Sequence, residues 1–442
     1  MKKLEKIYEN AAGIDIGSEK IFVATETQTV KSYRTFTASL EQCVADLRSQ
    51  GVNSVAMEAT GVYWITIYDL LERAGIEVFL VNPADSKNLP GRKTDVQDCQ
   101  WIQQLHSYGL LRKSFVPTES FRQLRSYNRL REDHIQMASS HIQHMQKALT
   151  LMNIRLPEVL SQIHGKSGMR MIEAILEGKR EPNYLLSLCD SRMQKKKSED
   201  ILAALKGFYT EEHLFELKQG YEAYQFYQGQ IRACDKKMEE LLTTLSDSQM
   251  EGNDLTPKLN RETKRVRHHR PEIKNLNNHL IKITNGRDAT TLPGFTEYNY
   301  LRVISEIGND IKQWPTSKHF TSWLGLAPGQ NRSGKMNKRS KKRSNTRAGQ
   351  IFKQAAQSLL ISKNIALGSF AKRLKSKKGP AIAIKATARK LATMFYNLMK
   401  HGKDFVEQGI KSYQEKYKNQ LIRFMQKKAV ELNLQLIELQ TS

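Results

Sequence analysis

Hydrophobic and polar positions change period along this chain. From about 11 to 109, short β-rich apolar runs alternate with stretches at helical spacing, a pattern that predicts an α/β domain. The runs 12–16, 21–27 and 29–36 are close enough to pair as an antiparallel meander, and 40–50 carries helical spacing. Two further apolar runs, 52–58 and 76–81, predict buried strands with a helix at 63–74 between them. With a last helix from Asp95, the order is β-β-β-α-β-α-β-α.

Beyond 119 the helical period takes over. Segment 120–152 contains no Pro or Gly and sets Leu124, Tyr127, Leu130, Ile135, Ala138, Ile142, Met145, Leu149 and Met152 at helical spacing, which predicts one long helix. Over 211–245, Leu217, Tyr224, Ile231, Met238 and Leu245 recur every seven residues, and Gly220, Tyr227, Cys234 and Leu241 fill the companion positions. This predicts a coiled coil that joins protomers, since the stripe would otherwise face water. Gly220 and Gly229 weaken such a helix, and a hairpin within one chain is the alternative. The basic runs 195–197 and 264–270 read as loops, solvated or facing nucleic acid. From 280 a helical region resumes, with a turn at Leu292-Pro293-Gly294-Phe295 and helices at 298–307 and 347–361 around a Gly-rich basic loop. The expected division is an α/β domain at 1–118, a long-helix coiled-coil spacer at 119–279 and a mainly α C-terminal domain at 280–442.

Charge narrows the partners. Lys and Arg total 70 against 45 Asp and Glu, a net charge of +25, which favours a polyanion such as nucleic acid. No apolar run approaches the ~20 residues of a spanning helix, and Met1-Lys2-Lys3-Leu4-Glu5-Lys6 lacks an apolar signal core. Cys43, Cys99, Cys189 and Cys234 are too scattered for a zinc knuckle or a disulfide framework and read as thiols of a reducing cytoplasm.

Four acids stand out. Asp15 follows the apolar residues of the first strand and Glu58 ends the fourth, each among apolar neighbours. Thr94-Asp95-Val96-Gln97 matches a capping box, so a helix starting at Asp95 sets Asp98 on the same face. One edge of the predicted sheet can gather all four. Clustered carboxylates repel and take up protons unless a hard cation neutralises them, which suits Mg2+ (or Mn2+) bound to oxygen and acting on a phosphodiester. Taken singly, each acid has a plainer reading: Asp95 and Asp98 complement a helix dipole, Asp15 sits in a turn and Glu58 flanks a helix.

These residues lie in longer text that resembles the DEDD transposases of the insertion sequence 110 family, specifically its insertion sequence 1111 group. The matching stretches are Met57-Glu58-Ala59-Thr60-Gly61-Val62-Tyr63-Trp64, Val81-Asn82-Pro83-Ala84-Asp85, Pro90-Gly91-Arg92-Lys93-Thr94-Asp95-Val96-Gln97-Asp98 and Gly109-Leu110-Leu111-Arg112-Lys113. Towards the other end, Ser322-Trp323-Leu324-Gly325-Leu326-Ala327-Pro328-Gly329-Gln330-Asn331-Arg332-Ser333-Gly334-Lys335 continues the likeness. The resemblance implies an RNase H-like (RuvC-like) N-terminal domain whose metal-binding acids fall on Asp15, Glu58, Asp95 and Asp98, and a nucleophilic serine that falls on Ser333. It further implies a DNA recombinase with donor and target DNA as substrates, a non-coding bridge-type guide RNA, and acids and serine acting together across the subunits of a dimer or tetramer. Residues 153–279 carry little that matches.

By itself a serine is a solvated hydroxyl or a cap, but the context of Ser333 is unusual. Gly329 and Gly334 permit close backbone approach, and Arg332, Lys335, Lys338, Arg339, Lys341, Lys342, Arg343 and Arg347 surround it without an acid. With Arg92 and Lys93 beside the acids, these are the expected nucleic-acid contacts. Ser340 and Ser344 lack the flanking glycine. Gly329 to Lys335 also opens like a nucleotide-binding P-loop, but Met336 stands where Ser or Thr would hold magnesium. A metal-dependent nuclease or junction resolvase without a covalent serine, and an RNA-binding scaffold, are the alternatives. His134, His141 and His144 read as polar-face residues, Tyr221, Tyr224 and Tyr227 as helix packing, and Trp64 and Trp101 as core aromatics.

Overall fold

The computed structural model describes residues 5–27, 29–83, 94–248, 269–328, 331–333, 336–338, 346–362, 366–402, 415, 418–419 and 422–435. Its contacts divide the chain into two compact units, Met1–Val116 and Pro117–Ser442.

The first unit is a five-stranded mixed sheet with helices. Strands β1 (Ala11–Ile16), β2 (Lys20–Ala24) and β3 (Val30–Arg34) form the expected meander, followed by α1 (Thr37–Ser49), β4 (Ser54–Glu58), α2 (Trp64–Arg73), β5 (Glu77–Val81) and α3 (Asp95–Ser107). The sheet order is β3-β2-β1-β4-β5, with β1 parallel to β4 and β4 parallel to β5. Alternation along each strand sorts side chains between the two faces. Ala12, Ile14 and Ile16 join Val55 and Met57 in a core with Leu40, Leu47, Ile67 and Leu71 of α1 and α2. Ala56 and Val81 face the other way, against Ile102 of α3. Trp64 and Trp101 are both half-buried, and Trp64 packs against this core.

In the second unit, α4 (Glu119–Leu151) is followed by the short helices α5 (Leu156–Val159), α6 (Lys166–Leu176), α7 (Pro182–Ser187) and α8 (Ser191–Ala204), then by α9 (Glu211–Asp247). Leu217, Tyr224 and Ile231 of α9 are buried in one cluster with Ala138, Met145 and Leu149 of α4. A Cβ on Gly220 would meet Met145 Cγ at 3.1 Å, while Asp235 reaches Arg131 at the other end, so the two helices run antiparallel. The heptad stripe is thus covered within one chain, which corrects the expectation that it joins protomers. The period was right, but the partner is α4, and the missing side chain of Gly220 lets the two helices pack closely there. A second correction concerns Lys195-Lys196-Lys197. This run lies inside α8, which bends at Lys197, and is not a loop. Residues 264–268 of the other basic run lie outside the described residues.

The chain continues through α10 (Leu276–Ile283), α11 (Glu297–Ile307), α12 (Ser317–Trp323), the strands β6 (Asn331–Ser333) and β7 (Met336–Lys338), then α13 (Arg347–Leu359), α14 (Ala366–Lys378) and α15 (Pro380–His401). Arg129 grips Glu306 of α11 through two 2.8 Å bonds, and Arg302 pairs with Glu132, so α4 is ion-paired to α11 at two points. An aromatic core gathers Phe295, Phe320, Phe352 and Phe395, with Phe352 and Phe395 centroids 5.5 Å apart. None of the described helices is long and apolar enough to cross a membrane.

Candidate functional site

The acids converge because of how α3 meets the sheet. β1 pairs with β4 in parallel register, Gly13 opposite Ala56 and Ile14 opposite Met57. One more step in that register sets Asp15 beside Glu58 at the carboxyl ends of adjacent strands. Ile14 and Met57 share the face covered by α1 and α2, so Asp15 and Glu58, one residue on, share the face covered by α3.

Gly13 fixes the approach. A Cβ at this position would lie 2.3 Å from Gln103 N and 2.4 Å from Cys99 O, so the backbones of α3 and β1 touch where no other residue type fits. Asp98 immediately precedes Cys99 and Asp95 stands about one turn before it, and the charges of both reach Asp15. Thr94 starts that helix: its hydroxyl accepts from Gln97 N at 3.4 Å, half of the capping box read from the sequence. A missed signal was present here, because a Gly inside an apolar strand marks close backbone approach.

The electrostatics agree. Asp15 is half-buried, its Oδ1 accepts from Ile16 N at 3.1 Å, and its carboxyl is pushed up to about 6, first by burial and then by the charges of Asp95, Asp98 and Glu58. Glu58 is buried, Asp98 half-buried and Asp95 exposed. Burial and the charge of Asp15 likewise push the Cys99 thiol up to about 12, which keeps it protonated and unreactive. The charges of the other three acids therefore all reach Asp15. Among the described residues no three His, Cys, Asp or Glu side chains form a ligand set for one ion, so the acids are coupled through charge without being drawn to ligation distance. The donor set is all oxygen, graded from a buried to an exposed carboxylate, and suits a hard divalent cation.

Ser333 belongs to the second unit. It is the last residue of β6 and pairs with Met336 of β7, with Arg332 opposite Asn337 and Asn331 opposite Lys338. The expected loop thus contains a short antiparallel hairpin, and Ser333 stands at its final paired position. Arg332 and Lys338 are on these strands, and Arg347 is exposed at the start of α13. Arg92, Lys93, Lys335, Arg339, Lys341, Lys342 and Arg343 lie outside the described residues, as do Ser340 and Ser344. The start of α13 is fixed against α12: Thr346 caps α13 by accepting from Gly349 N at 3.0 Å, and a Cβ on Gly349 would fall 2.1 Å from Leu324 O at the end of α12.

The histidines of α4 pack rather than gather. His141 stacks on Tyr227 at 5.5 Å and meets His144 edge-on at 5.4 Å.

Two protein-family models match this chain. One, described as Transposase (DEDD_Tnp_IS110), matches residues 12–154, which includes Asp15, Glu58, Asp95 and Asp98. The other, described as Transposase IS116/IS110/IS902 family, matches residues 287–371, which includes Ser333. No curated protein matches the chain.

Proposed function

Because the chain belongs to the IS110 family of transposases, and so is an enzyme that acts on DNA, we propose that it cuts and rejoins DNA strands with a serine nucleophile assisted by a carboxylate-bound metal. The observation that carries this reading is the convergence of Asp15, Glu58, Asp95 and Asp98 on the α3 face of the sheet, with the Asp15 carboxyl raised first by burial and then by its three neighbours. The strand order β3-β2-β1-β4-β5 supports an RNase H-like, specifically RuvC-like, fold for the first unit.

Asp15, Glu58, Asp95 and Asp98 would hold Mg2+ or Mn2+. The chemistry such an ion supplies when bound is neutralisation of charge on phosphodiester oxygens. Asp15 and Glu58 ride on strands and hold their positions, while Asp95 and Asp98 ride on a helix whose approach is set by Gly13. Ser333 Oγ attacks the phosphorus, its proton leaves to a base or to water, and the bond to the departing strand breaks as that strand's oxygen takes up a proton. The bond now joins serine to DNA and retains the phosphodiester energy, so a second strand hydroxyl can reverse the step without ATP. Arg332, Lys335, Lys338, Arg339, Lys341, Lys342, Arg343 and Arg347, with Arg92 and Lys93, steady the phosphates.

We further read a non-coding guide RNA as the selector of DNA sites, and a homo-oligomer as the working form. The exposed apolar side chains Leu130, Met137 and Leu151, spaced in multiples of seven along α4, support a protomer contact there in place of the covered stripe of α9. The four free, buried cysteines suit a cytoplasmic location.

The test is a trapped adduct. Ser333→Ala should leave folding and nucleic-acid binding intact while strand exchange falls to background. Wild-type protein incubated with nicked, labelled DNA and then denatured should carry label on the Ser333 peptide in mass spectrometry. Label on Ser340, Ser344 or a tyrosine would move the nucleophile, and DNA products without any adduct would leave a plain nuclease.

A further inference from the structure

Both flanks of the serine hairpin are mounted on one rib. α12, which leads into it, and α13, which leads out, each pack on α15, with Phe320 and Phe352 meeting Phe395 at 6.3 Å and 5.5 Å. α14 packs on α15 as well. Its last turns read Lys372-Arg373-Leu374-Lys375-Ser376-Lys377-Lys378, and the side chains of Arg373, Lys375, Lys377 and Lys378 are exposed.

Nothing nearby in sequence answers this charge. From Ile311 to Lys403 the chain has no Asp or Glu, and it carries 22 of its 70 Lys and Arg residues there. Among the described residues, none of the four exposed cations of α14 is in an ion pair. Arg373 and Lys377 stand four apart on a helix, a like-charge spacing that opposes helix formation. Cations at a helix C-terminus do complement its dipole, which accounts for Lys375, Lys377 and Lys378 in the last turn but not for Arg373 or the exclusion of acids over the whole segment.

We propose that this basic end of α14 is a second DNA contact, separate from the hairpin, that grips the phosphate backbone of the duplex and holds it on the same body as Ser333. The inference rests on the reading of Ser333 as the residue that attacks DNA, which is why the partner is DNA rather than RNA. The exposed side chains from 373 to 382 include no Asn, Gln, Asp or Glu to pair with adenine or cytosine edges; Arg and Lys can also read guanine, and an equal effect on duplexes of unrelated sequence marks the contact as one with phosphates.

The experiment uses the full chain with Lys375→Gln, Lys377→Gln and Lys378→Gln combined, and measures binding to two fluorescent duplexes of unrelated sequence over a salt series. Each lost phosphate contact lowers the log-log salt slope by about 0.9, so the three together should lower it by about 2 to 3, equally on both duplexes. Binding of single-stranded RNA should stay as in the wild type, and the Ser333 adduct should still form at saturating DNA. Should the triple variant lose helicity by circular dichroism, Arg373→Gln alone supplies the same reading, at about 0.9. An unchanged slope, a loss on only one duplex, or a loss on RNA in place of DNA would overturn the proposal. Ser333→Ala, by contrast, leaves this slope alone, so a failed adduct experiment and a failed clamp experiment stay distinguishable.

Discussion

Asp15 shows what a single residue here gives up for its role. Its carboxyl titrates near 6 in the folded chain against 3.8 for an ordinary aspartate, because burial and three neighbouring acids oppose its charge. Between those values the folded chain holds a proton that the unfolded chain has lost, so protonation adds stability that is complete below 3.8 and is lost as the pH rises through 6. Above pH 6 the ionised Asp15 weighs against the fold. Asp15→Asn should therefore raise Tm above pH 6 in the presence of a chelator, and this advantage should vanish as the pH is lowered towards 3.8. Differential scanning fluorimetry across that range decides it, and a lower Tm for Asp15→Asn above pH 6 would mean that the carboxylate is satisfied rather than crowded. Asp15 and Glu58 were legible as candidates because each is an acid in an apolar strand, and Asp98 because a capping box fixed where its helix begins. What the sequence left hidden was the closeness of approach, which depends on the missing side chain of Gly13.

At the scale of elements, periodicity reports that a face is buried but not what buries it. Leu217, Tyr224, Ile231 and Met238 repeat every seven residues whether the helix across from them belongs to the same chain or to another, and here α4 supplies the cover. The two short strands at Ser333 were illegible for a different reason: Asn331-Arg332-Ser333 has no apolar alternation, so only backbone pairing defines it. Within the α4–α9 hairpin the least expected feature is an ion pair in the interior, Arg131 Nε to Asp235 Oδ1 at 2.5 Å, with both side chains almost wholly excluded from water. Asp235 also accepts from Glu272 N at 3.0 Å, and Arg131 lies over the Tyr298 ring at 5.0 Å. Removing the carboxylate strands a buried cation, so Asp235→Ala should cost about 3–5 kcal/mol. Removing both charges together, as Arg131→Met with Asp235→Leu, should recover most of that loss. Urea unfolding of the single and double variants measures the difference, and a single-variant cost near the ~1 kcal/mol of an exposed pair would show that Arg131 finds water or another partner.

Over the whole molecule the charge is divided as unevenly as the chemistry. The first unit carries 13 Lys and Arg against 14 Asp and Glu, so the entire excess of +25 resides in Pro117–Ser442. A near-neutral unit with a cluster of carboxylates gains no net attraction for a polyanion from its overall charge, and has only local contacts such as those proposed for Arg92 and Lys93. The second unit must supply most of the affinity for DNA, and counterion release makes that affinity steeply salt-dependent, at a log-log slope of about 0.9 per contact for duplex DNA. The distribution predicts where substitutions change this slope. Arg48→Gln with Arg112→Gln, both exposed in the first unit, should leave the salt slope of duplex DNA binding as it is in the wild type. Removing the same number of charges between 311 and 403 should lower it. Fluorescence anisotropy over a salt series reads both. If the first-unit variant flattened the slope as much as the second, the first unit would grip phosphate well beyond Arg92 and Lys93, and the repulsion at Asp15 would have to be relieved by a cation before DNA bound there.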